Sequence, residues 1–140
     1  MAGMGGELIC TILDRAEWCL DDQYTLILQP MTKAEVLRYW LVNNGFTLLD
    51  ERLVHDGSFL YQVIKARFLG NMALSDAELY SGAFSKIQDD PLAQQELRSL
   101  FKRFEGEKRG LQASAVTNTG RLAIVENILI QLSKMEMDLE

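Results

Sequence analysis

A chain of 140 residues, 48% hydrophobic and 24% charged, carries enough apolar material for one ordinary core. Its formal net charge of -6 excludes a general affinity for nucleic acid, so any RNA contact must come from a local basic patch. Apolar runs are short and broken by charge, which excludes a membrane span, and the opening residues lack the basic start of a secretory signal.

In chain order, Ala2-Gly3-Met4-Gly5-Gly6 is a glycine-rich loop that leads straight into an amphipathic helix. Leu8, Ile9, Ile12, Leu13, Ala16 and Leu20 recur at helical spacing, Asp14, Arg15 and Glu17 fall opposite, and Asp21-Asp22 closes the segment. Cys10 and Cys19 fall on opposite faces of this predicted helix at about 100° per residue, too far apart to bridge. Two unpaired cysteines fit a reducing compartment and point to a cytoplasmic protein. A single histidine, His55, and no CxxC or HxxxH spacing argue against a metal site.

Residues 24–28 form a short continuous apolar run stopped by Pro30, the pattern of a parallel strand buried between helices. Thr32 and Glu35 match a capping box, with Met31 placed to staple onto Val36, so the next helix is predicted to start there. Leu37, Trp40 and Leu41 give its buried face and Asn44-Gly45 its stop. Residues 46–54 alternate as a strand, with Thr47, Leu49, Glu51 and Leu53 on one side. His55-Asp56-Gly57-Ser58 reads as a hairpin turn, since Asp-Gly tolerates positive φ, and residues 59–66 return antiparallel.

Residues 70–90 hold weak, short helical patterns ending at Pro91. Beyond it, Leu92, Leu97, Leu100, Phe101, Phe104 and Leu111 mark one helix. Leu122, Val125, Ile128, Leu129, Leu132 and Met135 mark another at a/d-like spacing. The polar stretch 114–120 joins them, so they are predicted to pack as an antiparallel helical hairpin. On the first helix Arg98, Lys102, Arg103, Lys108 and Arg109 face only Glu105 and Glu107. Arg98, Lys102 and Arg109 form a stripe beside the apolar face. Such a stripe can track RNA phosphates with salt-sensitive affinity; an ordinary solvated face is the reading that the chain's acidity favours.

Three stretches carry a resemblance. Ala2-Gly3-Met4-Gly5-Gly6 is followed by Leu8-Ile9 and Ile12-Leu13. Leu26-Ile27-Leu28-Gln29-Pro30 is followed by Leu37-Arg38 and Trp40-Leu41. Asn44-Gly45-Phe46, Glu51 and the Asp56-Gly57 turn precede Tyr61. In this order they resemble the C-terminal part of the tRNA (adenine(22)-N(1))-methyltransferase family, class I S-adenosylmethionine-dependent enzymes. The resemblance is close over residues 2–65 and holds in type for the helical hairpin, since the family carries a C-terminal antiparallel coiled coil. Met31 departs from it, standing where the family usually has asparagine.

The resemblance implies an α/β fold made of the C-terminal half of a Rossmann-like methyltransferase sheet, a parallel strand plus an antiparallel terminal hairpin, over residues 1–68. A connecting segment with short helices follows over 69–91, and the helical hairpin or antiparallel coiled coil over 92–140. The implied activity is transfer of a methyl group from S-adenosylmethionine to adenine N1 in tRNA. The family's grip on the cofactor is a glycine loop after the first strand and an acid after the second, and neither has a counterpart in these residues. The expectation is a C-terminal enzyme portion that is inactive and does not bind S-adenosylmethionine alone; the alternative is a non-catalytic module that binds RNA or a partner protein. Without a fourth strand beside it, the run 24–28 is expected to be an open edge that favours self-association or a companion chain.

By the same resemblance Gly3, Met4, Gly5 and Gly6 line the pocket between methyl donor and target adenine. Glycines let a backbone approach a planar ligand, and amides at a helix N-terminus donate to ligand oxygens; glycines also simply permit a tight turn. Gln29 and Pro30 end the buried strand at the carboxyl edge where open α/β sheets bind ligands, and a glutamine amide suits an adenine edge. A plain strand-to-turn junction has the same sequence. Glu51 either faces solvent or pairs with a cation and receives no role, and His55 is expected on an exposed loop. The catalytic residues stay unknown: methyl transfer to a ring nitrogen calls for alignment rather than a protein nucleophile.

Overall fold

The computed structural model describes residues 1, 3–116 and 118–139; Ala2 of the glycine loop and Thr117 of the interhelix loop lie outside them. The chain divides into two compact units, Met1–Asp90 and Pro91–Glu140.

The first unit opens with helix α1 (Gly6–Arg15), which buries Ile9 and Leu13 as its spacing requires. The predicted continuation to Leu20 does not form. Ala16 leaves the helical region (φ -96°, ψ 76°) and a single 3-10 turn follows at Glu17–Cys19. The break lets Cys19 bury fully and donate its thiol to the Leu13 carbonyl at 3.7 Å, a helix-end acceptor that also takes the Ala16 amide at 3.0 Å. Trp18 stays exposed, edge-on to Tyr24. Burial pushes the Cys10 and Cys19 thiols up, which keeps both protonated and unreactive.

Strand β1 (Thr25–Leu28), strand β2 (Thr47–Asp56) and strand β3 (Phe59–Arg67) form a three-stranded sheet in the order β1-β3-β2, with both pairings antiparallel. Leu26 and Leu28 of β1, Ile64 and Ala66 of β3 and Leu48 of β2 share a core with Ile9, Leu13, Leu37, Leu41 and Phe46. The reading of β1 as a parallel strand buried on both faces is corrected here. Ile27, on the opposite face, is 53% exposed, because the core lies against one side of the sheet. Among the described residues, parallel pairing is confined to a bridge between Met4 and Pro30. Nor is the edge of β1 bare. The Met1 ammonium donates to the Ile27 carbonyl (2.7 Å), and the Gln29 and Met31 amides donate to the carbonyls of Met1 (2.7 Å) and Met4 (2.8 Å).

Helix α2 (Ala34–Asn43) starts without the predicted capping box. Its N-cap is Lys33 in the left-handed region (φ 57°, ψ 42°), with no side-chain cap, and Met31 is exposed rather than stapled. The preceding turn explains this: the Thr32 carbonyl accepts the Gly6 amide at 2.7 Å, which directs residues 32–33 toward the glycine loop. The helix buries Leu37, Arg38, Leu41 and Val42 and stops at Gly45 (φ 88°), where a Cβ would stand 2.5 Å from the Phe68 ring.

In β2 the register shifts between Leu48 and Asp50, a bulge that breaks the predicted alternation. The buried side carries Leu48, Glu51 and Leu53, so Thr47 and Leu49 do not share a side with Glu51 and Leu53 as the alternation predicts. Asp56 pairs with Phe59 around Gly57 (φ 62°), as the Asp-Gly signal requires. Residues 69–90 belong to this unit: helix α3 (Asp76–Ser81) packs on α2 and helix α4 (Phe84–Ile87) on β2. A capping box does occur, at α3, where the Ser75 hydroxyl accepts the Glu78 amide (3.2 Å) and the Glu78 carboxylate accepts the Ser75 amide (3.0 Å).

The second unit is helix α5 (Ala93–Ala113) and helix α6 (Thr119–Asp138). Arg98 pairs with Glu136 and Arg121 with Glu107, each at 2.7 Å, so the two run antiparallel. Leu97, Leu100 and Phe104 of α5 and Val125, Ile128, Leu129, Leu132 and Met135 of α6 are their buried faces. No described helix is long and apolar enough to cross a membrane.

Candidate functional site

The residues singled out in the first unit meet at the carboxyl end of β1. The Met4–Pro30 bridge lays the glycine loop beside the strand's exit, and the Gly6 amide, the first of α1, is bound to Thr32. The glycines divide into two kinds. A Cβ on Gly5 would stand 2.7 Å from the Thr32 hydroxyl oxygen, and one on Gly6 only 2.1 Å from the Lys33 carbonyl oxygen. Their missing side chains therefore make room for the turn at 32–33. Gly3 has open space around it and a positive φ of 75°. Pro30 is buried, while Gln29 is half-buried and its side-chain amide bonds to no described residue. Gly3 and Gln29 are thus the members of the set that the fold does not engage, while Met4 packs half-buried against the hydrophobic core.

Nearby stands a group that sequence reasoning assigned no role. Arg38 and Glu51 are 1% and 3% exposed. The Arg38 Nε and Nη2 donate to Glu51 Oε1 at 2.9 and 2.6 Å, and Nη1 donates to the carbonyls of Leu79 (2.8 Å) and Tyr80 (3.2 Å). Glu51 Oε2 accepts the Ala83 amide at 2.5 Å. The charges neutralise each other and every named contact is a hydrogen bond within the fold, so the pair ties α2 and β2 to the chain around α3. The available signal was the phase of Arg38, which falls on the same side of α2 as Leu37 and Leu41.

The basic residues of the second unit differ in their surroundings. Arg98 is held by Glu136 (2.7 Å), and the Arg103 guanidinium lies 5.3 Å from the Phe104 ring centroid. Lys108 and Arg109 instead line a groove of about 650 Å³ between α5 and α6, with Phe101, Leu129 and Ile130 also in its wall. Lys134 of α6 lines it too, a cation the sequence reading missed because it belongs to the other helix. Lys102 is exposed. His55 is exposed at the end of β2, and the described residues contain no cluster of three or more metal-ligating side chains.

A family model described as TrmK, tRNA (adenine(22)-N(1))-methyltransferase, matches residues 1–133. The tRNA (adenine(22)-N(1))-methyltransferase of Bacillus subtilis (strain 168) is 38% identical over 66 residues, 47% of this chain and 28% of that protein. Sp1610 of Streptococcus pneumoniae, a candidate tRNA (m1A22) methyltransferase, has a similar structure with a TM-score of 0.75 and 25% identity, covering 96% of this chain and 59% of its own. Its structure is also known in complex with S-adenosyl-L-methionine. The B. subtilis m1A22 tRNA methyltransferase TrmK gives a TM-score of 0.77 at 24% identity, over 96% of this chain and 60% of its own. The chain spans about three-fifths of the length of these solved relatives.

Proposed function

Because the chain belongs to the tRNA (adenine(22)-N(1))-methyltransferase family, we propose that its residues form the target-side part of a site for S-adenosylmethionine-dependent methylation of adenine N1 in tRNA. The observation that carries this reading is the half-buried Gln29 amide, unbonded to any described residue, at the sheet edge where the Met4–Pro30 bridge places the glycine loop. A glutamine amide offers one donor and one acceptor face, which match adenine N7 and N6 together. Held in that way, the base keeps its N1 free for an in-line methyl donor, and Gly3 leaves the approach open.

The donor itself does not fit these residues alone. The space beside Gly5 and Gly6 is filled by Thr32 and Lys33, and the sequence holds no glycine loop with a following ribose acid. A polypeptide of these 140 residues is therefore expected to be inactive and to show no one-to-one micromolar isotherm when titrated calorimetrically with S-adenosylhomocysteine. Such an isotherm would sink the half-site reading.

The filled glycine spaces also favour a second reading, a non-catalytic RNA- or protein-binding module. The two part on base recognition. Under the first, a tRNA with adenine at position 22 binds this chain about tenfold more tightly than the same tRNA with guanine there, and Gln29→Ala removes the difference. Under the second, the two tRNAs bind alike.

Wherever tRNA is bound, the cations of the helical hairpin supply the sequence-independent part: exposed Lys102 on α5, and Lys108, Arg109 and Lys134 in the groove, whose wall also carries Glu105 and Glu126. Reversing Lys102 and Arg109 to glutamate is expected to weaken binding and to flatten the plot of log affinity against log salt by roughly one unit per lost phosphate contact. Unchanged affinity and slope in the double variant would make these cations a solvated face and nothing more.

A further inference from the structure

We propose that the tip of the β2–β3 hairpin is a stacking platform for a nucleobase of the bound RNA next to the target, with Phe59 as its outer ring; the inference rests on the target-side reading above. The register places it. The last pair between β1 and β3 is Leu28 with Ile64, but β2 and β3 run on together to Asp56 with Phe59. At about 3.3 Å per residue the hairpin overhangs the carboxyl edge of β1 by roughly 16 Å. That is the edge from which Gln29 and Pro30 emerge.

The overhanging part carries aromatic surface with no structural use. Ile64 and Ala66 of β3 face the core, so Phe59 and Tyr61 share the opposite, uncovered face. Phe59 is 66% exposed, and its ring lies nearly parallel to that of Tyr61, 6.1 Å between centroids and 28° between planes. Val54, opposite Tyr61, is also exposed. The platform has a fixed base. The Asp90 carboxylate accepts the Leu53 amide at 2.9 Å, the Gln62 amide donates to the Tyr80 carbonyl at 3.0 Å, and α4 packs on β2. Along this face Arg52 pairs with Asp50 at 3.3 Å and Asp56 stands opposite Phe59, while Lys65 and Arg67 lie toward the other end of β3, so the tip offers a ring face rather than a phosphate clamp. An exposed Phe59 ring backed by half-buried Tyr61, beside the proposed base-binding edge, fits an unstacked base, whatever its identity.

The test uses the full chain and unmodified tRNA transcripts carrying 2-aminopurine singly on either side of adenine 22. At one position the protein is expected to quench the probe. Phe59→Leu should abolish the quenching and weaken binding roughly tenfold, and Phe59→Trp should restore both. Because Phe59 is exposed, thermal melting of the leucine variant should match the parent. Equal quenching and affinity in Phe59→Leu overturns the platform. So does a concentration-dependent dimer that this variant abolishes, which would make the patch a contact between copies. Loss of adenine-over-guanine selectivity on Gln29→Ala with an unaffected Phe59 signal separates the platform from the target-side reading, and no tRNA binding at all defeats both.

Discussion

Arg38→Leu is expected to destabilise the first unit by about 3–5 kcal/mol, the range for removing one partner of a buried ion pair. A domain typically has only about 5–15 kcal/mol in total, so the variant should sit near the edge of folding at 37 °C. The substitution strands the Glu51 carboxylate in a site 3% exposed and takes a donor from the carbonyls of Leu79 and Tyr80. Glu51→Gln should fall in the same range by stranding the guanidinium. A pair bonded only to itself is often replaceable by two apolar residues at little loss. Here that rescue should fail, because Arg38→Met with Glu51→Leu leaves the Leu79 carbonyl and the Ala83 amide unbonded, at about 1–3 kcal/mol each, and takes from the Tyr80 carbonyl one of its donors. Urea unfolding of Arg38→Met, Glu51→Leu and the double variant that combines them gives the coupling directly. A single-variant loss under about 1 kcal/mol would mean that water reaches the pair.

Gly6→Ala should be the next most damaging change, at about 2–3 kcal/mol, toward the upper end of what overpacking costs. The added Cβ would meet the Lys33 carbonyl oxygen at 2.1 Å and its carbon at 2.9 Å, and main-chain atoms cannot rotate aside. The start of α1 must then retreat from residues 32–33 and release the Gly6–Thr32 hydrogen bond. Gly3→Ala is the control. It meets nothing within 4 Å and carries only the strain of a positive φ, about 1–2 kcal/mol. Thermal or urea unfolding that ranks Gly3→Ala as the worse of the two would contradict the close contact between the helix starts.

What the sequence disclosed of this fold depended on how local each determinant is. The β2–β3 turn was legible because Asp56-Gly57 by itself selects the backbone needed. The α5 and α6 helices were legible because their apolar spacing repeats over many turns. The start of α2 misled because Thr32 and Glu35 satisfy a local pattern, whereas the Thr32 carbonyl is engaged by Gly6, far away in sequence. The end of α1 misled because Leu20 continues the period while burial of Cys19 ends it. A bulge in β2 leaves no compositional trace, so the inward turn of Glu51 was invisible. For the candidate site, the sequence showed which segments meet but not how its glycines divide, since Gly3, Gly5 and Gly6 differ only in what stands opposite them.

The Arg38–Glu51 contact also bears on how the protein breathes. A helix as short as α3 would ordinarily fray open on its own, exchanging its amide protons far faster than the sheet does. Peeling residues 79–83 away here breaks the hydrogen bonds that tie the Leu79 and Tyr80 carbonyls to the Arg38 guanidinium and the Ala83 amide to the Glu51 carboxylate. Bonds to charged groups are worth about 1.5–3 kcal/mol each, which raises the cost of local opening toward that of unfolding the first unit. The amides of α3 should accordingly exchange in step with those of β2 and β3, and the first unit should open as one cooperative block.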